Sequence, residues 1–210
     1  MALSCACPTA AALPTIPKFE CSEGFGQIQK IAFQRLTTTD GKNKFNSTNA
    51  IGNLESWTSL LTANDSTKIV ISPFVENPTQ DGGDARTYGG GNDTLGGVSK
   101  IIGSEPTTLT VQLRDVPQSI IKELKKMMCE AQNGNLGVYL FDDNGRIEAI
   151  QDETTATTHY PIPIRALFVG DKIHGGLENP DSNTMSFQFA PNYSDNLAIV
   201  TPTFNPLVDL

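Results

Sequence analysis

The chain has 210 residues, of which 38% are apolar and 18% charged, and its formal net charge is −8. This length suits one sizeable domain, with or without arms, and the apolar share is large enough for a core. Contacts to phosphate groups come from lysine and arginine, so an acidic chain without a basic cluster is a poor candidate for a nucleic-acid binder. No apolar run approaches the roughly 20 residues of a membrane-spanning helix, and no membrane anchor is predicted.

The first 22 residues are expected to form an extended N-terminal arm. Pro8, Pro14 and Pro17 oppose a long helix there. The segment has no lysine or arginine before Lys18, so it lacks the charged region of a signal peptide. The four cysteines, Cys5, Cys7, Cys21 and Cys129, match no zinc-binding spacing. We therefore expect free thiols in a reducing cytoplasm, with Cys129 on the apolar side of a helix.

The first predicted elements of the domain lie between residues 24 and 75. Residues 24–36 fit either a strand or a helix, and the β-prone threonines that follow favour the strand. Residues 53–62 predict a short helix, because Leu54, Trp57, Leu60 and Leu61 recur at helical spacing. Trp57 is interpreted as a core anchor. Residues 68–75 are β-branched and apolar, which predicts a strand.

A glycine-rich insert is predicted over residues 76–106, between two strands. Eight of the 18 glycines of the chain fall between Gly82 and Gly103. A long loop without regular structure is uncommon inside a compact domain and is usually functional or disordered. Tyrosine and arginine are the residue types that anchor interfaces. The predicted subunit-interface residues are Arg86, Tyr88, Gly89, Gly90, Gly91 and Asn92.

A strand and then a helix are predicted after the insert. In residues 107–114, Leu109, Val111 and Leu113 alternate with polar side chains, as in a half-buried strand. Residues 116–131 carry one apolar stripe at helical spacing, with Asp115 as a possible cap and Pro117 in the first turn. This is the single helix expected to pack on the sheet.

The remainder of the chain predicts strands and an extended tail. Residues 136–141 and 146–150 flank an Asp-Asp-Asn-Gly turn, which indicates a hairpin and lacks the ligand pattern of a calcium loop. Further strands are predicted at residues 161–169, 184–189 and 197–201. Residues 201–210 contain two prolines and are expected to form an extended C-terminal arm.

These elements predict an α+β fold. We expect a mainly antiparallel β-sandwich or small barrel with one flanking helix, a long glycine-rich loop and extended termini. The predicted organisation is an arm over residues 1–22, a single β-rich domain over residues 23–200 that contains the insert, and an arm over residues 201–210.

No catalytic, cofactor or metal site is predicted. The two histidines, His159 and His174, stand near no nucleophile motif. The glycine-rich insert lacks the Lys-Ser/Thr ending of a phosphate-binding loop, and it leads into a strand instead of a helix. We therefore expect a protein that is not an enzyme and that uses no cofactor.

Four segments resemble a family of prophage-encoded virion proteins. They are TYGGGN at residues 87–92, IPIR at 162–165, FAPNYSD at 189–195 and FNPL at 204–207. The resemblance runs over most of the chain. The predicted plan is also similar to that of bacteriophage tail-tube proteins, although this second likeness is one of architecture and contains no shared motif.

The resemblance implies a structural subunit of a bacteriophage tail, and most specifically the tube protein, which stacks as hexameric rings around a DNA channel. Its implied partners are copies of itself and other virion proteins, with DNA only as passing cargo. The implied location is the virion, after assembly in the host cytoplasm. The alternative is another virion component, at the head surface or the head–tail connection, or a module that binds the host.

Overall fold

The computed structural model describes residues 24–39 and 41–210. The predicted N-terminal arm, with Cys5, Cys7 and Cys21, lies outside the described residues. Among those that are described, Gly82–Glu105 belong to one compact unit, and Phe25–Asp81 together with Pro106–Leu210 form another. We call the second unit the β domain.

The described residues form fourteen strands and four α-helices. The strands are β1 (Ile28–Arg35), β2 (Thr37–Thr38), β3 (Gly41–Lys42), β4 (Ile69–Ile71), β5 (Glu76–Asp81), β6 (Ala85–Tyr88), β7 (Lys100–Ser104), β8 (Thr108–Arg114), β9 (Leu136–Asp142), β10 (Ile147–Gln151), β11 (His159–Tyr160), β12 (Ile162–Val169), β13 (Ser182–Phe189) and β14 (Leu197–Val200). The helices are α1 (Leu54–Thr62), α2 (Gln118–Lys126), α3 (Met128–Gln132) and α4 (Pro206–Asp209). No described helix has the length and hydropathy needed to cross a bilayer.

Strand β9 is the centre of the β domain. One of its sides pairs with β1 over the whole length of β1, and β1 in turn pairs with β4. The first half of its other side pairs with β12, and the second half with β10. From β12 the sheet continues through β13 and β8 to β5, whereas β10 continues to β14 and β11. All of these pairings are antiparallel, which confirms the predicted α+β class.

Two apolar cores lie on opposite faces of β1 and β9. Ile31 and Phe33 belong to the larger core with Val138 and Leu140, which face the strands from β12 to β5. The side chains between them, such as Tyr139, belong to the second core. Because successive side chains of a strand point to opposite faces, every residue of β9 is buried. The second core is the reason why β9 does not show simple alternation in the sequence.

The arrangement is a sandwich, not a barrel. Three hydrogen bonds connect the residues between β4 and β5 with β1. The Ser72 N–H donates to the Ile31 carbonyl, the Val75 N–H donates to the Gln29 carbonyl, and the Ile31 N–H donates to the Ser72 hydroxyl. In the described part of the chain no ladder connects β5 with β1, so the sheet curls around the larger core without closing. Of the two predicted alternatives, the sandwich is the correct one.

Trp57 anchors the second core, as predicted. Its side chain is fully buried, and its ring lies 4.7 Å from the ring of Phe45 and 5.3 Å from that of Tyr139. The indole N–H donates a hydrogen bond of 2.7 Å to the carbonyl oxygen of Ile51. A buried indole normally requires such a partner. The indole bond ties α1 to the turn before it, and the ring contact with Tyr139 of β9 packs α1 on the sheet.

The prediction of one helix over residues 116–131 is wrong, because the structure has two short helices there. The Met127 N–H donates to the carbonyl of Leu124, three residues earlier, which tightens the turn and separates α2 from α3. Helix α2 begins after Pro117, and Asp115 does not cap it. Cys129 is exposed instead of facing the core, whereas Met128 and Ala131 of the same helix pack on the larger core as predicted.

The C-terminal tail is not extended as predicted. Residues 206–209 form the helical turn α4, which begins where the Asn205 side chain accepts a hydrogen bond from the N–H of Leu207. Leu207 and Leu210 pack on the second core. The Nζ of Lys30 donates to the carbonyl oxygens of these two leucines at 2.8 and 2.9 Å. Apolar burial and these bonds account for the turn.

Candidate assembly surface

The predicted irregular loop is a β-hairpin, and this prediction is therefore corrected. Strands β6 and β7 pair antiparallel, with Ala85 opposite Ser104 and Tyr88 opposite Lys100. The N–H of Glu105 donates to the carbonyl of Asp84 and closes the base of the hairpin. In this ladder the backbone N–H and C=O groups bond to the opposite strand, whereas in an irregular loop they would bond to water. We call residues 82–105 the hairpin.

The hairpin is shorter than the predicted insert. Residues 76–81 form β5, which pairs with β8 in the β domain, where Asp81 lies opposite Thr108. The sequence of β5 is polar and contains Pro78, which opposes a strand prediction. It is an edge strand whose only ladder partner in the described residues is β8. Edge strands tolerate proline because one side of the backbone needs no partner.

The tip of the hairpin has a defined backbone. Two 3₁₀ turns cover Gly91–Asp93 and Leu95–Gly97. Gly89 has φ +77°, and a β-carbon there would lie 1.9 Å from Cγ2 of Thr94, so glycine is required on both counts. The Thr94 hydroxyl accepts a hydrogen bond from the N–H of Gly90 and donates one to the carbonyl of Val98, each 3.0 Å long. The glycines thus shape a compact tip.

The hairpin exposes an unusual amount of apolar surface. Five large apolar side chains are exposed by 57% or more, and Leu95 is exposed completely; they are Tyr88, Leu95, Val98, Ile101 and Ile102. Single exposed apolar residues are ordinary, but a group of five within 15 residues is a candidate for a contact surface. These side chains together form the candidate assembly surface.

The structure places the predicted interface residues on this hairpin. Arg86 and Tyr88 lie two positions apart on β6, so their side chains project to the same face. The glycines at 89, 90 and 91 form the start of the tip, and Asn92 is exposed in its first 3₁₀ turn. Arg86 has no ion pair among the described residues. Whether these residues contact another subunit remains a prediction.

Four apolar members of the surface escape the sequence-based prediction: Leu95, Val98, Ile101 and Ile102. The prediction for this segment rests on its glycine content, which concerns the backbone conformation, and it therefore omits these side chains. A usable signal does exist, because four large apolar residues within eight positions are unexpected in a segment with no core to fill.

An acidic side chain in the β domain has a perturbed pKa. Glu148 on β10 lies opposite Leu140 of β9 and Ile199 of β14, so it shares the face of the larger core. Burial, and after it the negative charge of Asp142, raises the pKa of Glu148 to about 7. In the described part of the chain its carboxylate has no hydrogen bond and no ion pair. Glu148 therefore makes the stability of the domain sensitive to pH.

Asp142, at the adjacent turn, titrates in the opposite direction. Burial by itself would raise its pKa, but bonds from the N–H groups of Arg146 and Gly26 and from the Arg146 guanidinium lower the pKa below its usual value. The guanidinium lies 2.6 Å from the carboxylate. The predicted turn is confirmed, because the Gly145 N–H donates to the Asp142 carbonyl. The carboxylate of Asp142 forms a structural ion pair with Arg146.

The histidines lie in different settings. His159 is buried, and burial lowers its pKa, whereas His174 is exposed with Nδ1 3.2 Å from an Asp181 oxygen. Neither ring is bonded to a serine or cysteine side chain in the described residues. No group of three or more metal-ligating side chains occurs within the same residues.

Neither the protein-family models nor the curated proteins contain a match to this chain. Among solved structures, it is similar to a chain in the cryo-EM structure of the anti-feeding prophage baseplate, 6-fold symmetrised. The two are 7% identical, the alignment covers 88% of this chain and 100% of the other, and the TM-score is 0.34.

Proposed function

We propose that the chain is a non-enzymatic structural subunit of a bacteriophage tail, and specifically the tube protein that stacks as hexameric rings around a DNA channel. The observation that carries this proposal is the hairpin with its five exposed apolar side chains. The four segments that resemble prophage-encoded virion proteins support it, and one of them, residues 87–92, runs from the end of β6 into the tip of this hairpin.

Exposure of the apolar side chains of the hairpin to water costs free energy. A contact that buries apolar side chains is stabilised by roughly 25 cal/mol for each Å² of apolar surface removed from water. Strands β6 and β7 also pair only with each other in the described residues, so each presents an unpaired edge. Proteins cover such edges, because uncovered edges pair with other chains. A neighbouring copy of the same chain satisfies both requirements in a symmetric assembly.

Charge is compatible with a channel for DNA. The net charge of −8 disfavours binding to phosphates, and like charge lowers non-specific adhesion. The role proposed for DNA is therefore that of passing cargo, with no site that holds it.

The test compares the wild-type chain with a variant that lacks the hairpin. Because Asp81 pairs with Thr108, residues 82–107 are replaced with Asn-Gly, which forms a two-residue hairpin turn. We expect rings or tubes of the wild-type chain in negative-stain images and in sedimentation velocity. The variant is expected to stay monomeric with an unchanged far-ultraviolet circular dichroism spectrum.

Two outcomes contradict the proposal. A wild-type chain that stays monomeric at high concentration excludes a self-assembling tube subunit. If the variant without the hairpin still forms normal tubes, the hairpin is not needed for assembly. A monomer or trimer whose hairpin amides exchange at the same rate at every concentration favours the alternative, a host-binding module or a connecting protein of the virion.

A further inference from the structure

The β domain contains an apolar groove that its own side chains leave open. The groove has a volume of about 300 Å³ and lies where β3, β10, β11 and β12 meet the end of β1. Its apolar lining consists of Leu36, Ile150, Tyr160, Pro161 and Pro163. A groove of this size is at the lower limit of small-molecule pockets and suits one or two side chains.

The rim of the groove carries a positive charge. Lys42 lies on β3 with Nζ 5.8 Å from the centre of the Tyr160 ring, and it has no ion pair in the described residues. The Tyr160 hydroxyl donates to the Asp152 carboxylate at 3.2 Å, which holds the ring in place. The groove is therefore suited to an apolar side chain that stands beside a carboxylate.

The tip of the hairpin presents that combination. Leu95 is completely exposed, and Asp93 precedes it by two residues. The carboxylate of Asp93 has no hydrogen bond and no ion pair within the described ranges. The Thr94 hydroxyl, between the two, fixes the backbone of the tip. A preorganised tip loses little conformational entropy when it binds.

We propose that Leu95 of one copy inserts into this groove of a second copy, with Asp93 of the first facing Lys42 of the second. This inference rests on the proposed self-assembly. The contact joins two different surfaces, so it is head-to-tail, and such contacts generate rings when the rotation closes and stacked or helical arrays when it does not.

A second groove in the β domain is less suitable. It has a volume of about 220 Å³ and is lined by Phe33, Val70, Met127 and Leu136. Arg35 and Glu130 on its rim already form an ion pair of 2.6 Å. Two carboxylates, those of Asp65 and Glu130, lie on this rim beside Arg35 and Lys68, so a tip carboxylate would meet like charge there, whereas no described acidic residue lines the first groove.

The first test changes the apolar contact. Sedimentation velocity over a concentration series is measured for the full chain, for Leu95→Asp and for the matched control Leu177→Asp. Leu177 is as exposed as Leu95 but belongs to the β domain and not to the hairpin. We expect Leu95→Asp to raise the concentration of half-assembly by about tenfold or more, as for an interface anchor, and Leu177→Asp to leave it unchanged.

The second test changes the charges. Asp93→Lys and Lys42→Asp are each expected to weaken assembly, and the double variant is expected to recover it, because the pair is restored with reversed signs. If Lys42→Asp weakens assembly while Leu95→Asp does not, another segment occupies the groove and the docking site is overturned. Lack of recovery in the double variant overturns it as well.

The two proposals fail in different ways. If the wild-type chain assembles and the excised hairpin abolishes assembly, but Leu95→Asp has no effect, only the docking site is wrong. If the wild-type chain does not assemble at any concentration, the proposed function and the docking site are both overturned.

Discussion

The hydroxyl of Thr94 bridges the N–H of Gly90 and the carbonyl of Val98, with both hydrogen bonds 3.0 Å long. One side chain thereby ties together the two ends of the hairpin tip. The bond from Ser99 to the carbonyl of Gly89 adds a third connection at 3.3 Å. The apolar side chains at the tip are consequently presented on a shaped backbone instead of a freely moving loop.

Replacing this hydroxyl tests the order of the tip. Thr94→Val keeps the shape of the side chain but removes both bonds. We expect hydrogen exchange of the Gly90 amide to accelerate about tenfold, which corresponds to the loss of a bond worth about 1.4 kcal/mol. Exchange is followed by NMR under conditions where the chain is monomeric. Assembly should weaken in the same variant because the tip is less preorganised.

The control for this prediction is Thr87→Val, on the stem of the same hairpin, where the hydroxyl has no bond in the described residues. Its Gly90 amide should exchange as in the wild-type chain. Unchanged exchange in Thr94→Val would show that the glycine backbone holds the tip without the hydroxyl.

Tyr88→Ala is expected to weaken assembly without affecting the β domain. Tyr88 is 60% exposed on β6 and belongs to neither core. Truncation of an anchor aromatic costs about 2 kcal/mol or more of association energy, or about thirtyfold in affinity. Phe168→Ala is the matched control, because Phe168 is similarly exposed but lies on β12. Equal effects of the two substitutions would contradict a specific role for Tyr88.

Trp57→Ala should destabilise the β domain by about 3–5 kcal/mol. The substitution removes a fully buried ring and leaves the Ile51 carbonyl without its indole donor. Urea unfolding followed by circular dichroism measures the change. Leu54→Ala on the same helix is the control; its side chain is about one third exposed, and the expected loss is below about 1 kcal/mol. A loss below 2 kcal/mol for Trp57→Ala would show that the second core contributes little.

Glu148→Gln should stabilise the domain at pH 8 but not at pH 4. The folded-state pKa of about 7 exceeds the unfolded value of 4.5, so the folded chain retains a proton that the unfolded chain loses between these values. The stability associated with this group is complete below pH 4.5 and falls as pH rises to about 7. Glutamine stays neutral and does not incur this loss. At pH 8 the free energy of unfolding of the variant should therefore exceed that of the wild-type chain by about 1–3 kcal/mol, a range that allows for the partial exposure of Glu148.

Thermal unfolding at a series of pH values measures this effect. The charged or titratable groups that act on Glu148 are Asp142, with its partner Arg146, and Tyr193. Glu178→Gln, in an exposed loop, is the control and should follow the wild-type profile. If Glu148→Gln follows the wild-type profile from pH 4 to 8, the carboxylate is ionised in the folded chain at ordinary pH.

Elements with a strong local pattern are predictable from the sequence. Strand β13 alternates Met185, Phe187 and Phe189 with polar residues, and the structure buries those three side chains as the alternation requires. Trp57 recurs with leucines at helical spacing and lies in a core. The glycine content of residues 82–103 is also evident from sequence, but the hairpin is not, because the sequence predicts an irregular loop where β6 and β7 pair.

The tertiary structure decided what depends on distant residues. The sequence by itself determined the α+β class and most strands, because alternation and helical spacing are local properties of neighbouring side chains. It did not determine that β9 is buried on both faces, that β5 joins the sheet, or that Lys30 holds a tail 177 residues away. Those features arise when segments far apart in the chain cover the same apolar surface, and the hydrogen bonds between such segments depend on partners that the local sequence does not contain.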